Sequence, residues 1–399
     1  MAKQEQKLKV AMVGGGNESF MGRIHRAAME ASGCVELVGG AFASTRQRSF
    51  ETGKTLGIDP KRVYGVYRDM FRRESKVRDE SRIDFITVIA PNNMHYPVTM
   101  AAFDAGFPVL SEKPMSCNMD EAQNLKRRTL MSREVYATAY LFPFYPALVA
   151  MREAIAGGIL GNVRRVDSTN YHGWMGIRLE TAGNRSAGWR TDPRRCGAGG
   201  AVYDLAGPCM LLTEWLSGLK INALCATGRP AVAGRILDDD VNITLRFDGG
   251  MIGSIRASQI ALGEADGITI DIYGDKASAH WQQQSGNKWT LVTPDGKRTV
   301  KTSRGAPVPT AGPGRFGEPY GDDEAVIAAL AEVYKDFARV VREAQADPKA
   351  QPVPRCIDVD WALRVATFND AASRSLQSAG DEIPSKWVPF HVPEVALLS

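Results

Sequence analysis

Ala105–Pro114 reads AGFPVLSEKP, and the fold turns on how this stretch is read. Val109 and Leu110 are predicted to form a short buried strand. Glu112-Lys113-Pro114 follows at once, and Pro114 lacks an N–H, so a β-ladder cannot run on through it. Charged residues at the carboxyl end of a parallel strand point into the crevice where doubly wound sheets bind ligands. A lysine there can stabilise a developing alkoxide or share in its proton transfer. Taken alone, a lysine after a strand is equally a solvated side chain. The flanking sequence decides between the two.

Upstream, Asp84–Ala90 (DFITVIA) is a second buried strand, ending in Pro91-Asn92-Asn93-Met94-His95, and residues 96–105 form a helix leading back to the lysine. At the beginning of the chain Lys9–Val13 is an apolar strand that runs into Gly14-Gly15-Gly16. A helical stretch around Ile24–Met29 and another strand, Val35–Val38, come next. Strand, glycine turn, helix, strand is the opening of a Rossmann unit, where a pyrophosphate approaches backbone N–H groups at a helix start. Gly14 and Gly16 match the first two glycines. Ser19 stands where the third is expected and the next glycine is Gly22, so Asn17–Ser19 is read as an extra bend. A plain glycine-rich turn fits the same residues. After the second strand, Ala41–Arg48 (AFASTRQR) holds no Asp or Glu to select the 2′-hydroxyl of NAD. Ser44, Thr45, Arg46 and Arg48 can meet a 2′-phosphate instead, which tilts the expected cofactor from NAD to NADP. A solvated loop with incidental arginines is the other reading.

With 399 residues, 44% hydrophobic and 24% charged, the chain is expected to form an ordinary globular protein of two domains. A formal net charge of +4 with no dense basic run gives no ground for a nucleic-acid partner. No apolar run approaches the roughly 20 residues of a membrane helix, and the polar start reads as no signal peptide, so a cytoplasmic address is expected. The six cysteines show no C-x-x-C spacing, which argues against both a disulfide framework and a metal site.

Residues 1–140 are expected to be the first domain and 141–399 the second, with a C-terminal helix and arm. Ala147–Ala156 is an amphipathic helix stopped by Gly157-Gly158, and Val163–Thr169 is a strand. Residues 171–200 are irregular, and a long irregular segment inside a compact domain is usually functional. They are read as the wall of a substrate pocket, where Trp174 and Trp189 suit a sugar ring and Arg190 a polar substituent. Either tryptophan serves equally as a packing residue. Val241–Phe247, Met251–Ala257 and Ile268–Tyr273 alternate as antiparallel strands. Residues 284–323 receive no element. Asp323–Glu343 is predicted to be a helix packing on the second sheet, and the tail after Ser375 an arm that can reach a partner subunit.

The P-N-x-x-H turn, a helix, then A-G-x-x-V-x-x-E-K-P together resemble the Gfo/Idh/MocA family of nicotinamide-dependent oxidoreductases. The resemblance extends through Ala156–Gly161 (AGGILG), Trp189–Pro193 (WRTDP) and Gly199–Asp204, roughly residues 8–345. It implies an α/β protein: an N-terminal Rossmann domain for NAD(P), and a C-terminal α/β domain with a large, mostly antiparallel sheet that often makes a homodimer or homotetramer. By resemblance Gly14, Gly16 and Gly22 line the pyrophosphate, and Pro91, Asn92 and His95 lie along the nicotinamide. Glu112 and Lys113 look like the pair that positions the nicotinamide ribose and the substrate hydroxyl.

One departure stands out. Family members read G-G-x-x-x-D-x-G-x-H, with the acid and the histidine one helical turn apart on a single face. Here the run Gly199–Cys209 keeps Asp204, but Pro208 occupies the histidine's place. Proline carries no proton, so Lys113 must act with Asp204, Tyr203, Tyr140 or His172, or else the redox chemistry has changed. Of the five histidines only His172 falls in the expected pocket segment. The resulting expectation is an NAD(P)-dependent dehydrogenase of a sugar, cyclitol or related polyhydroxylated substrate. Lys113, Asp204 and His172 would be catalytic, and Trp189, Arg190 and Tyr203 would bind substrate. A glycosidase or lyase that retains its NAD, and a cofactor-binding protein without turnover, are the alternatives.

Overall fold

The computed structural model describes residues 6–132, 134–264, 267–303, 323–347, 350, 352–377 and 386–395. Five strands form the first sheet: β1 (Leu8–Gly14), β2 (Val35–Ala41), β3 (Phe85–Ile89), β4 (Val109–Ser111) and β5 (Tyr136–Thr138). All are parallel, in the order β2-β1-β3-β4-β5. Their helices are α1 (Phe20–Ser32), α2 (Arg46–Thr55), α3 (Tyr67–Glu74), α4 (Asn92–Asp104) and α5 (Met119–Ser132). Strand side chains alternate between faces, so Val10 and Met12 join one core while Ala11 and Val13 join the other. The strand order reverses between β1 and β3, and the loops leaving these two strands part there to open a crevice.

After α6 (Pro146–Ala156) comes the second sheet, which begins with β6 (Val163–Tyr171). Two short helices, α7 (Arg185–Arg190) and α8 (Pro193–Cys196), and then α9 (Gly207–Ser217) separate β6 from the rest. The remaining strands are β7 (Ile221–Arg229), β8 (Asp240–Phe247), β9 (Ile252–Ser258), β10 (Gly267–Gly274), β11 (Ser278–Gln282), β12 (Lys288–Val292) and β13 (Arg298–Thr302). They pair antiparallel except for β6 with β9. In β8, Val241, Ile243, Leu245 and Phe247 are buried while Asn242, Thr244 and Arg246 are exposed, so one face is core and the other is open. The covered face packs on α9 and on α11 (Val359–Gln377), the last long helix; α10 (Asp323–Ala346) precedes it.

Two expectations need correction. Helix α10 does not lie on the second sheet. It packs against α1 and completes the first core, where Leu330, Tyr334 and Phe337 join Val10, Met12 and Phe85. A spacing pattern gives the apolar stripe of a helix but not the surface that stripe covers. A division of the chain at 140/141 therefore assigns to the second half a helix that the Rossmann sheet needs. The tail differs as well. Residues 378–385 and 396–399 lie outside the described residues, but Val388–Pro389 forms β14, which pairs with β7 of the same chain. Phe390 beside it packs edge-on against Phe368, so this part of the tail closes its own sheet. Of the unassigned stretch 284–323, the described part contributes the β12–β13 hairpin; residues 304–322 lie outside the description.

Candidate functional site

A cavity of about 730 Å³ opens between the carboxyl ends of the first sheet and the covered side of the second. The glycine turn, Pro91 and Lys113 border it from one domain, and His172, Trp189 and Asp204 from the other. The turn is shaped by close approach. Gly14 has φ +82°, and a Cβ on it would lie 1.9 Å from the Ile89 carbonyl oxygen. A Cβ on Gly16 would lie 2.8 Å from the carbonyl oxygen of Phe42. Ser19 is the N-cap of α1, its hydroxyl accepting from the Gly22 N–H at 3.0 Å. This explains the irregular spacing, since a capping serine closes the bend. Gly22 itself is corrected from a pyrophosphate-lining role. It sits in the first helical turn, where a Cβ would lie 2.3 Å from the Gly15 carbonyl oxygen, and its bareness lets helix and turn meet.

The sequence motif P-N-x-x-H becomes the start of α4, which begins at Asn92 rather than after His95. His95 Nδ1 lies 2.7 Å from the Pro114 carbonyl oxygen and Nε2 lies 2.8 Å from that of Ala90. Burial lowers its pKa, with those carbonyls opposing. The ring thus sits between two backbone carbonyls beneath the crevice, and Asn92 Nδ2 donates to the Cys196 carbonyl 2.9 Å away in α8. The Lys113–Pro114 peptide is cis.

Lys113 Nζ donates to Asp204 twice, to the carboxylate Oδ1 at 2.8 Å and to the main-chain oxygen at 2.7 Å. The second contact has a local cause. Residues Val202–Ala206 form a π-helical turn that passes into α9 at Gly207. In a continuous α-helix the N–H of residue 208 would bond the carbonyl of residue 204, but Pro208 has no N–H to give. The Asp204 carbonyl is left for the lysine. Asp204 Oδ2 meanwhile accepts from Arg190 Nε at 3.0 Å and from Gln259 Nε2 at 3.4 Å. Burial pushes the Asp204 pKa up, but the charges of Arg190, Lys113 and His172 and the Lys113 hydrogen bond outweigh it and hold the carboxyl well below the usual range.

His172 borders the cavity with its Nε2 3.0 Å from Asn170 Oδ1. Arg190 stacks on Trp189, 4.2 Å from the ring centroid. Trp174 is buried in a small cluster with Met175 and Ala187, where it packs rather than lining the cavity. Tyr203 is also corrected as a substrate ligand: it is buried, its ring packing on Gly197 behind the π-turn. Of the expected 2′-phosphate ligands, Ser44 and Arg48 face the cavity. Thr45 starts α2 and Arg46 stacks on Phe50, both away from the cavity lining. Sequence reading passed over His25, which follows Gly22 by one helical turn on the buried face of α1. It also passed over Tyr334, 309 residues further on, which no local pattern connects to the site.

Residues 8–139 match the oxidoreductase family with an NAD-binding Rossmann fold, and residues 148–280 match the GFO/IDH/MocA C-terminal domain. The chain is 31% identical over 286 residues to the uncharacterized oxidoreductase YfiI of Bacillus subtilis (strain 168), covering 71% of this chain and 72% of that one.

The chain belongs to the Gfo/Idh/MocA family.

As a Gfo/Idh/MocA protein it is an NAD(P)-dependent oxidoreductase. Levoglucosan dehydrogenase of Pseudarthrobacter phenanthrenivorans is 25% identical over 295 residues, covering 68% of this chain and 73% of that one. An inositol dehydrogenase homolog from Azotobacter vinelandii, complexed with NAD+, superposes with a TM-score of 0.84 at 27% identity, covering 96% of this chain and 98% of that one. The same homolog with NADH and myo-inositol gives 0.83 at 26% identity, with the same coverage. The bare glycine turn at the head of α1 fits a dinucleotide, and Asn93 Oδ1, on the cavity wall, is a buried acceptor without a protein partner. Among the described residues no group of acidic, histidine and cysteine side chains could hold a metal ion, and no helix is long and apolar enough to cross a membrane.

The Asp204 cluster gives stability a definite pH dependence. The carboxyl stays ionised in the fold, whereas in the unfolded chain it takes up a proton near about pH 3.9. The unfolded state therefore binds more protons in acid, and this contribution is complete above about pH 5 and declines as pH falls. Asp204→Asn should cost about 3–5 kcal/mol at neutral pH, because it removes the buried anion on which Lys113 and Arg190 converge. Urea unfolding should show that cost shrinking below about pH 4, by at most about 1.4 kcal/mol per pH unit.

Proposed function

We propose that this oxidoreductase interconverts a hydroxyl and a ketone on a sugar, cyclitol or related polyhydroxylated substrate. The observation that carries the reading is Lys113, fixed on Asp204 at two points in the same cavity as the glycine turn and Trp189. When bound, the nicotinamide supplies the hydride acceptor or donor. Lys113 donates to the reacting oxygen and lowers the energy of the alkoxide. Asp204 holds the ammonium in place, and it is a poor base because Arg190 and Lys113 stabilise its carboxyl as the anion. His172 is the group that takes up the hydroxyl proton, standing in for the family histidine that Pro208 displaces. Burial pushes the Tyr140 hydroxyl far above its usual range, so it stays protonated and offers no phenolate to act as the base. Trp189, with Arg190 stacked on it, offers an apolar face and hydrogen-bond donors of the kind a ring with several hydroxyls uses. A relative that dehydrogenates levoglucosan and a related structure holding myo-inositol support that substrate class.

Lys113→Ala should lower kcat by about 10²–10⁴, and His172→Ala should lower it by a comparable order. In both variants NADH affinity should stay close to that of the parent. Progress is followed at the nicotinamide absorbance band with candidate cyclitols and anhydrosugars. Turnover that survives Lys113→Ala would sink the mechanism. Product released from a glycoside with no added cofactor and no net nicotinamide reduction would favour the retained-NAD alternative.

NAD(H) is proposed as the preferred cofactor, reversing the tilt toward NADP. Two of the expected phosphate ligands turn away from the cavity, and a third, Arg48, is paired at 2.5 Å with Glu18, a carboxylate that would repel a 2′-phosphate. Dissociation constants should favour NADH over NADPH, and Glu18→Gln should narrow the gap; tighter NADPH binding by the parent protein would restore the earlier expectation. Association into a dimer or tetramer through the open face of the second sheet completes the proposal. Sedimentation is the check, and a monomer at micromolar concentration would refute it.

A further inference from the structure

Beneath Lys113 runs a buried polar chain that the reaction as described does not use. Glu112 reaches the cavity wall, yet its side chain is only 11% exposed. Its Oε1 lies 2.8 Å from Nε2 of His25, a residue with no exposed side-chain surface. His25 Nδ1 lies 2.7 Å from the Tyr334 hydroxyl, and that hydroxyl lies 3.2 Å from Thr87 Oγ1. The four groups come from β3, α1, α10 and the end of β4.

Donor counting fixes the link nearest the cavity. Burial pushes the Glu112 pKa up, but the hydrogen bond from His25 and the charges of His25 and Lys113 bring it below the ordinary value, so the group is a carboxylate and only accepts. Nε2 of His25 must then carry a proton. Nδ1 is left to the Tyr334 hydroxyl, which also reaches Thr87, so the ring is held from both sides. The other carboxylate oxygen, Oε2, accepts from the Lys113 backbone N–H at 3.1 Å. One oxygen is thus anchored from below and the other from the lysine's own backbone, which fixes the plane of the carboxylate where it meets the cavity.

We propose that His25, itself oriented by Tyr334, is a positioning residue that aims the Glu112 carboxylate at the cofactor and thereby sets the affinity for NAD(H). The inference rests on the reading that Glu112 faces the nicotinamide ribose, whose hydroxyls are donors that a carboxylate accepts. It makes helix α10, distant from the site in sequence, part of cofactor binding.

The test is NADH affinity by fluorescence titration, with melting temperature and far-ultraviolet circular dichroism recorded for each variant. Glu112→Gln should weaken NADH about ten-fold or more, the loss of one charged acceptor. His25→Gln, which keeps an N–H near the Nε2 position, should stay within about three-fold of the parent protein. His25→Asn reaches only toward Tyr334 and should weaken NADH about ten-fold. Combined with Glu112→Gln it should add nothing further, because His25 acts through that carboxylate. Tyr334→Phe should fall between, and serves as the second arm if His25→Asn does not fold. Wild-type affinity in both His25→Asn and Tyr334→Phe, or effects of His25→Asn and Glu112→Gln that multiply, would overturn the positioning role and leave Glu112 as a cofactor ligand. Unchanged affinity in Glu112→Gln would overturn the inference together with the reading beneath it.

Discussion

The ammonium of Lys113 is the point at which the two sheets become one site. It leaves the end of β4 in the first domain and is held by a carboxylate and a carbonyl from the second. Taking such charges out of water is costly, and the attraction between them offsets that cost only when the remaining lone pairs are also satisfied. Here they are: Arg190 and Gln259 take the other oxygen of Asp204, and Arg190 lies over Trp189. The irregular segment between β6 and α9 thereby acquires its place. Its conformation is tied to the same carboxylate that fixes the lysine, so the pocket wall and the reacting centre cannot move independently.

Much of this was legible from residue order. Gly14, Gly16 and the EKP run each sit where a short-range rule puts them, because strand ends and glycine turns are decided by neighbours in sequence, whereas Asp204 was legible only through the family motif. Legibility failed where the use of a side chain depends on how the surrounding segment is folded. Tyr203 and Trp174 have the chemistry of sugar ligands, yet the irregular segment folds back on itself and buries both. Gly22 looked like part of the pyrophosphate cradle because the motif counts glycines, while the structure uses it to seat a helix against the turn. Arg46 shows the same limit. A basic residue after β2 reads as a phosphate ligand until Phe50, one turn further along α2, gives it a ring to lie on.

Pro208 illustrates how one substitution acts twice. It deletes an imidazole, which the sequence makes plain, and it deletes an N–H, which matters only once the π-turn is known. A histidine at that position would have had a backbone donor to offer the helix. The proline withholds it, and the Asp204 carbonyl turns into a ligand for Lys113. The lysine thus has two anchors on one residue, and its head group has less freedom than a carboxylate alone would allow.

Helix α10 has a consequence for how the protein comes into being. The strands and first helix of the Rossmann layer are made early in synthesis, but Leu330, Tyr334 and Phe337, which cover Val10, Met12 and Phe85, emerge only after the entire second sheet. Chains generally fold domain by domain as they leave the ribosome. This one holds an apolar face open until more than three hundred residues have followed it. The Rossmann core is therefore closed only after the second sheet has been made, and the two domains cannot be completed one after the other.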